Sequence, residues 1–315
     1  MQHYRTLSRL AFFLLFILAP PLDSFRFDLN ANHLFFLGEP WQLGFTAQSD
    51  SLQMVGSIFL RIFMPIFLVV GVGGWISWKY GRLYCGWLCP HFAVVEIINA
   101  LMRRASGKPS LWEKQPLPEH QSDGKHIPRN SWYWPVTVLV VGLVSFLWAV
   151  VLLTYLLPPK EIYTNLLTFS LTRNQAIFIG MGTLLLILEF TLARHLFCRF
   201  GCAIGLAQSF IWMGNRKALV VGFDSKRAKL CSDCDASCEH ACPMRLKPRT
   251  IKRNMFTCTQ CHSCIDACGK VQEHASGVSL LQWVDGECAK AVAKDAGVAT
   301  NPPANCFQHG KKKSP

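Results

Sequence analysis

The sequence predicts an α-helical membrane bundle of about four transmembrane helices joined to a small α+β metal-binding module. Three observations carry this. First, 51% of the 315 residues are hydrophobic and only 16% are charged, and the apolar residues gather in long runs before about residue 200. Second, Lys and Arg collect in the loops beside those runs. Third, most of the 14 cysteines follow the runs, grouped at metal-ligand spacings and not as a secreted disulfide scaffold would have them. The chain thus divides into a transmembrane domain over 1–216, a cysteine-rich module over 217–288 and a disordered tail over 289–315, which carries NPPAN and a terminal KKKSP.

Four stretches are long enough to span a bilayer. The first, about 7–22, reads LSRLAFFLLFILAPPL and follows Arg5 close behind. That pattern also fits a signal peptide, but APPLDSF is a poor cleavage site, so an uncleaved anchor is expected. The others cover about 54–78, 132–157 and 174–197. Trp75, Trp78, Trp132 and Trp134 stand at their ends, where amphipathic rings favour the headgroup level. Between the first two spans, FRFDLNANHLFFLGEPWQLGF is apolar but interrupted and is expected to lie on the membrane surface. Arg61 and Glu189 fall inside spans, are costly in lipid, and are expected to face the bundle interior.

Loop charge sets the orientation. Residues 79–131 hold eight Lys or Arg, whereas 23–53 hold only Arg26, and 158–173 only Lys160 and Arg173. The positive-inside rule therefore puts both termini and all the cysteine motifs on the cytoplasmic side. The same rule accounts for the formal charge of +13, so membrane lipid is the expected polyanionic partner and nucleic acid is not. A Gly-rich dinucleotide fingerprint, a P-loop and a Ser/His/Asp arrangement are all missing from the sequence. His91 and His195 lie at span ends, which disfavours a bis-histidine haem within the bundle.

The strongest chemical signal is CSDCDASCEHACP followed by CTQCHSCIDAC. The second run places Cys258, Cys261, Cys264 and Cys268 at the spacings of a bacterial ferredoxin. The first places Cys231, Cys234, Cys238 and Cys242 with one extra residue before Cys238. A cubane needs four converging thiolates: tight spacing wraps three around one cluster, and the fourth comes from the other run. One [4Fe–4S] cluster would then take Cys231, Cys234, Cys238 and Cys268, and a second Cys258, Cys261, Cys264 and Cys242. Structural zinc is the competing chemistry, but zinc ribbons separate their two-cysteine knuckles by a dozen or more residues. The basic link with Arg245, Lys247, Arg249, Lys252 and Arg253 can balance cluster charge, dock an acidic donor, or simply face anionic lipid. Cys288 and Cys306 have no evident partner and read as incidental.

Two further pairs, Cys85/Cys89 in GRLYCGWLCPH and Cys198/Cys202 in RHLFCRFGCAIG, sit at span ends. On a helix, i and i+4 would put both sulfurs of a pair on one face. Four thiolates meeting there can bind a soft cation such as Cu(I), hold a further cluster, or cycle between dithiol and disulfide. Buried cysteines acting as small hydrophobes are the alternative. Pro90 is expected to kink or start the helix after Cys89. Glu96, two turns on, is a weaker candidate metal ligand or an interfacial acid.

These residues resemble the CcoG/FixG/RdxA family of membrane 4Fe–4S proteins, in a wider group with NapH and NosR. The shared pattern runs through Gly81, Arg82, Cys85, Gly86, Cys89, Pro90 and Glu96, then Arg194, Cys198, Cys202 and Gln208, with KALVVGFDSKR leading into a ferredoxin-like module. The chain departs in having Ala203 where the second pair's proline stands. It also shows neither the later span nor the C-terminal immunoglobulin-like domain of CcoG, so it reads as a shortened relative. The resemblance implies a bacterial inner-membrane protein that reduces Cu(II) to Cu(I) for maturation of respiratory copper oxidases. The expected partners are an electron donor, either a quinol or a cytoplasmic reductant, and a metalloenzyme or copper-handling client; a homo-oligomer is compatible with the sequence. Two alternatives remain, a NapH-like subunit relaying quinol electrons to a partner complex and a metal-binding assembly scaffold without turnover.

Overall fold

The computed structural model describes residues 1–42, 50–232, 234–250, 252–273 and 277–288. The expected tail, 289–315, lies outside the described residues. The chain forms two compact units. One comprises Met1–Arg9, Gly74–Thr137 and Arg194–Pro315, and the other Leu10–Gly73 and Val138–Ala193. This division differs from a cut at residue 216, because the segments bearing both cysteine pairs join the unit that carries the cysteine runs.

Three helices among the described residues are long and apolar enough to cross a membrane: Ser51–Tyr80, Tyr133–Thr154 and Arg173–Ala193. Gln2–Leu18, on the first expected span, has 17 residues, or about 26 Å at 1.5 Å per residue, at the short limit for a bilayer core. The most apolar stretch of Ser51–Tyr80 has none of its residues buried. A helix that is apolar all round and uncovered by protein suits lipid, not water. Arg61 is the correction here. It is exposed, within a π-helical turn over Phe59–Phe63, and donates to the Gln42 carbonyl instead of facing an interior.

In the second unit, Gly182 approaches Ala149 so closely that a Cβ on it would stand 3.3 Å from the alanine's Cβ, the small-residue contact that lets membrane helices pack. Val150, Leu153, Ile162 and Ile179 form a local core. Ile162 comes from Pro159–Leu167, a short helix in what the sequence left as a loop. Its start is set by Pro159 at a position where the missing N–H costs nothing. Thr172 and Gln175 form a reciprocal capping box at the start of the last span.

The segment expected on the membrane surface forms a three-stranded antiparallel meander of β1 (Phe25–Asp28), β2 (His33–Phe36) and β3 (Glu39–Trp41). Leu37 and Gly38, both left-handed at φ +53° and +85°, make the two-residue turn that matches strand twist. Arg26 bonds Asp28 at 2.7 Å and also Asp23. Asp28 in turn accepts from the Asn30 and Ala31 amides. Alternation of apolar and polar residues here is too short to outweigh the overall apolarity, so the turn was the readable signal.

The first unit holds an antiparallel pair, β4 (Leu219–Phe223) with β5 (Leu281–Asp285), in register from Leu219↔Asp285 to Phe223↔Leu281. Both cysteine runs lie between these strands in sequence, with the helix Ser263–Gln272 carrying the end of the second run. Phe92, Trp212, Val220, Met244, Met255 and Val284 make its principal core. The helices Pro90–Ser106 and Ala203–Gly214 thus share a core with the strands and with the loops of both runs.

Candidate functional site: three groups of cysteines in one unit

The two runs line two small cavities. The first is lined by Cys231, Cys234, Cys238 and Cys268. The second is lined by Cys242, Cys258, Cys261 and Cys264. Each run thus contributes one cysteine to the other's cavity. The remaining walls are mostly apolar, with Phe223 and Leu281 at the first and Val221, Met244, Leu246 and Trp283 at the second. Left-handed Ala236 (φ +60°) and His262 (φ +67°) turn the chain sharply inside each run, immediately before a short helix in each case.

The thiols are poorly suited to ionise unaided. Burial pushes Cys238 and Cys242 up to about 12, and drives Cys258 and Cys264 upward as well, with neighbouring cysteines adding to the effect in each. Four thiolates in so apolar a pocket need a cationic centre to hold their charge, which is the condition an iron–sulfur cluster meets. Local donors help: Leu246 N–H points at Cys242 Sγ at 3.4 Å, and the Arg249 charge favours ionised Cys231 and Cys238.

The pairs are built differently from expectation. Cys85 sits in the short helix Leu83–Trp87, but the helix breaks at Leu88, and Cys89 becomes the N-cap of Pro90–Ser106 with Pro90 at its first position. Cys198 lies in a π-helical turn, Phe197–Gly201, and Cys202 caps Ala203–Gly214, its Sγ accepting from Gly205 N–H at 3.5 Å. Neither pair lies on one continuous α-helix. Instead the second cysteine of each stands at a helix N-terminus. Burial raises the Cys89 thiol despite the backbone amides that face it. Burial also raises the Cys85 thiol to about 12, aided by Cys89 and Cys202 and opposed by Arg82. Cys85 Sγ also lies 3.4 Å from Gln208 Oε1. Among the described residues, no three His, Cys, Asp or Glu side chains converge closely enough to hold a single metal ion.

Glu96, the weaker ligand candidate or interfacial acid, has its two carboxylate oxygens held by Arg5 and Arg9, which anchors the start of the N-terminal helix. Cys288, read as incidental, is disulfide-bonded; Cys306 lies outside the described residues.

The pairs and the second cavity meet through residues whose roles the sequence alone did not disclose. Arg82, 1% exposed, donates to Ser209 Oγ at 2.5 Å and to the Cys198 carbonyl at 2.7 Å. Ser209 Oγ in turn donates a hydrogen bond to the Phe256 carbonyl at 2.7 Å. The Arg82 charge favours ionised Cys85 and Cys258, a thiol of the first pair and one of the second cavity. Trp87 Nε1 donates to the Gln260 carbonyl at 3.1 Å. Gly86 lies so close to Thr259 that a Cβ would meet its carbonyl oxygen at 2.0 Å. A glycine directly after the first cysteine was the available clue, since only a residue without Cβ permits that approach. Cys89, Cys198, Cys242 and Cys258 all pack against the same apolar core.

The comparisons support a membrane-type iron–sulfur protein. Residues 60–109 and 174–219 match the 4Fe-4S binding domain family. These stretches contain Cys85, Cys89, Cys198 and Cys202, while both runs lie beyond them. The chain is 21% identical over 225 residues to a protein of Escherichia coli (strain K12) named "Putative electron transport protein YccM", covering 71% of this chain and 56% of that protein. It is 27% and 25% identical to two uncharacterized proteins of Methanocaldococcus jannaschii, MJ0750 and MJ0749. Those matches cover 60% of this chain in both cases and 70% and 62% of the relatives. No solved structure matches.

Proposed function

We propose that the chain is an electron-transfer protein of the CcoG/FixG/RdxA kind. In this reading it has four spans, with both termini and every cysteine site on the cytoplasmic side of a bacterial inner membrane. Cys231, Cys234, Cys238 and Cys268 would hold one [4Fe–4S] cluster, and Cys242, Cys258, Cys261 and Cys264 another. Bound there, the clusters supply one-electron storage. The chain's part is to exclude water with the walls of β4 and β5, to exchange one cysteine between runs, and to hold Arg82 beside the neighbouring thiols. Cys85, Cys89, Cys198 and Cys202 receive Cu(II) as substrate. One electron, drawn originally from a quinol or a cytoplasmic reductant, converts it to Cu(I), which thiolates favour over Cu(II). The product would serve a copper-containing client enzyme.

The observation that supports this reading most is the packing of Cys89 and Cys198 on the same core as Cys242 and Cys258. It gives the pairs and the second cavity a common, water-poor wall. Serine at Cys85, Cys89, Cys198 and Cys202 together should abolish Cu(II) reduction by the anaerobically reduced protein while sparing the cluster absorbance. Undiminished reduction would sink the role.

A second reading is favoured by the match of the 4Fe-4S binding domain to the two stretches around the pairs. Here the four membrane-side thiols hold a further cluster, and the protein relays quinol electrons to a partner complex in the manner of NapH. Iron and acid-labile sulfide on anaerobically purified protein separate the two. About eight of each per chain leave the pairs free for copper, and about twelve assign them a cubane.

A further inference from the structure

One wide, open cavity in the first unit is lined by neither pair. It lies between the helix Pro90–Ser106, the loop that follows it, and the segments around Cys242 and Ser263–Gln272. Six Lys or Arg side chains line it against three carboxylates. Several of the cations are already matched: Arg5 by Glu96, Lys125 by Asp123 at 2.7 Å, and Arg245 by Glu113 at 2.6 Å. Arg103 is not. Its Nη2 is buried with no hydrogen-bond partner among the described residues, and the buried Nδ1 of His240 on the same wall makes no hydrogen bond there, standing 3.9 Å from Asp235 Oδ2. Arg103, Arg245 and His240 are close enough for their charges to oppose one another. Asp123, Asp235, Glu113 and Glu239 are the acids that face this group.

Such an arrangement is costly even with acids nearby, because a buried guanidinium nitrogen without a hydrogen-bond acceptor forfeits its hydration. It is also well formed for one, since a guanidinium fork matches the oxygens of a phosphate. We propose that this cavity is a binding site for a phosphate-bearing small molecule, recognised by Arg103, Arg245 and His240. Cys242 lines both this cavity and the second cysteine cavity. The ligand would therefore sit beside a thiol of that set without taking part in its coordination. The phosphate can belong to a soluble metabolite or to the headgroup of an acidic phospholipid.

The full chain, in neutral detergent, is titrated calorimetrically with inorganic pyrophosphate. Saturable binding is expected, weakened at least about tenfold by Arg103→Gln, the worth of a charge-assisted hydrogen bond. Arg103→Lys should recover part of it. Arg253→Gln, the same change in charge outside the cavity, should leave it intact. Far-UV circular dichroism confirms that each variant is folded, independently of iron content. Repeating the titration in phosphatidylglycerol and phosphatidylcholine nanodiscs identifies the source: binding blocked only by phosphatidylglycerol assigns a lipid headgroup, and binding in both assigns a soluble ligand. No saturable binding to the folded protein, or an equal loss in Arg103→Gln and Arg253→Gln, would overturn the proposal.

Discussion

In the cysteine runs, four thiols reach each cavity mainly through local chain geometry. Spacings of two or three residues and a left-handed turn inside each run bring three sulfurs together, and one sulfur is exchanged. In the cysteine pairs, the chain between cysteines breaks from helix to helix, and the partners come from segments more than a hundred residues apart. Their neighbourhood is fixed by distant contacts: Arg82 to Ser209, Ser209 to Phe256, Trp87 to Gln260. Local geometry therefore specifies a compact four-thiol set, while the pairs depend on the fold of the whole unit. Substitutions should expose that contrast.

The largest expected effect tests the exchange between runs. Cys242→Ser should remove about half the iron and sulfide, the cluster carried mainly by the second run, while leaving the other spectroscopically intact. Loss of the signal belonging to Cys231, Cys234 and Cys238 instead would mean that each run keeps its own four thiols.

Gly86→Ala reverses the logic, since it alters no cysteine. The added methyl must displace the Thr259 carbonyl, an overpacking cost of about 3 kcal/mol. The denaturation midpoint should fall, and the cluster at Cys258 and Cys261 should become more labile than the one at Cys231. Unchanged stability would show that the pairs and the second cavity are coupled only loosely.

A smaller effect concerns pH. Burial, with the charges of Arg194 and Arg245, lowers His195 from 6.5 to about 4, and His240 moves the same way. The unfolded chain then binds more protons than the folded one between these values. Stability present at pH 7 is lost as pH falls from about 6.5 toward 4, at close to 1.4 kcal/mol per unit for a single such group. About 2 kcal/mol should separate unfolding at pH 7 and pH 5, and His195→Gln should remove much of it. A flat profile would place this histidine in water.

The smallest expected change is at the loop clasp. Ser122 N–H donates to Asp235, and Asp235 N–H to Ser122 Oγ, both at 3.2 Å. Ser122→Ala removes the second bond at an exposed site and should cost about 1 kcal/mol or less. Faster hydrogen exchange around Cys234 would be its signature, with no change near Cys85.

Much of this protein was legible because its signals are local. Apolar runs announce spans, since lipid tolerates little else, and three appear as helices of sufficient length. The cysteine spacings announced cluster chemistry, and the stretches around the pairs match a 4Fe-4S binding domain. Three things were hidden. A three-stranded meander was masked by its own apolarity, a capping role replaced the helical face assumed for Cys89 and Cys202, and Glu96 proved to be bound by Arg5 and Arg9. By itself the sequence determined where apolar length and thiol spacing occur, because both are properties of a few consecutive residues. The tertiary structure alone decided which thiols share a wall, why Gly86 carries no side chain, and where Nη2 of Arg103 lies buried without a hydrogen-bond partner among the described residues. Those depend on close approach between segments far apart in the chain, and no short stretch of sequence encodes that approach.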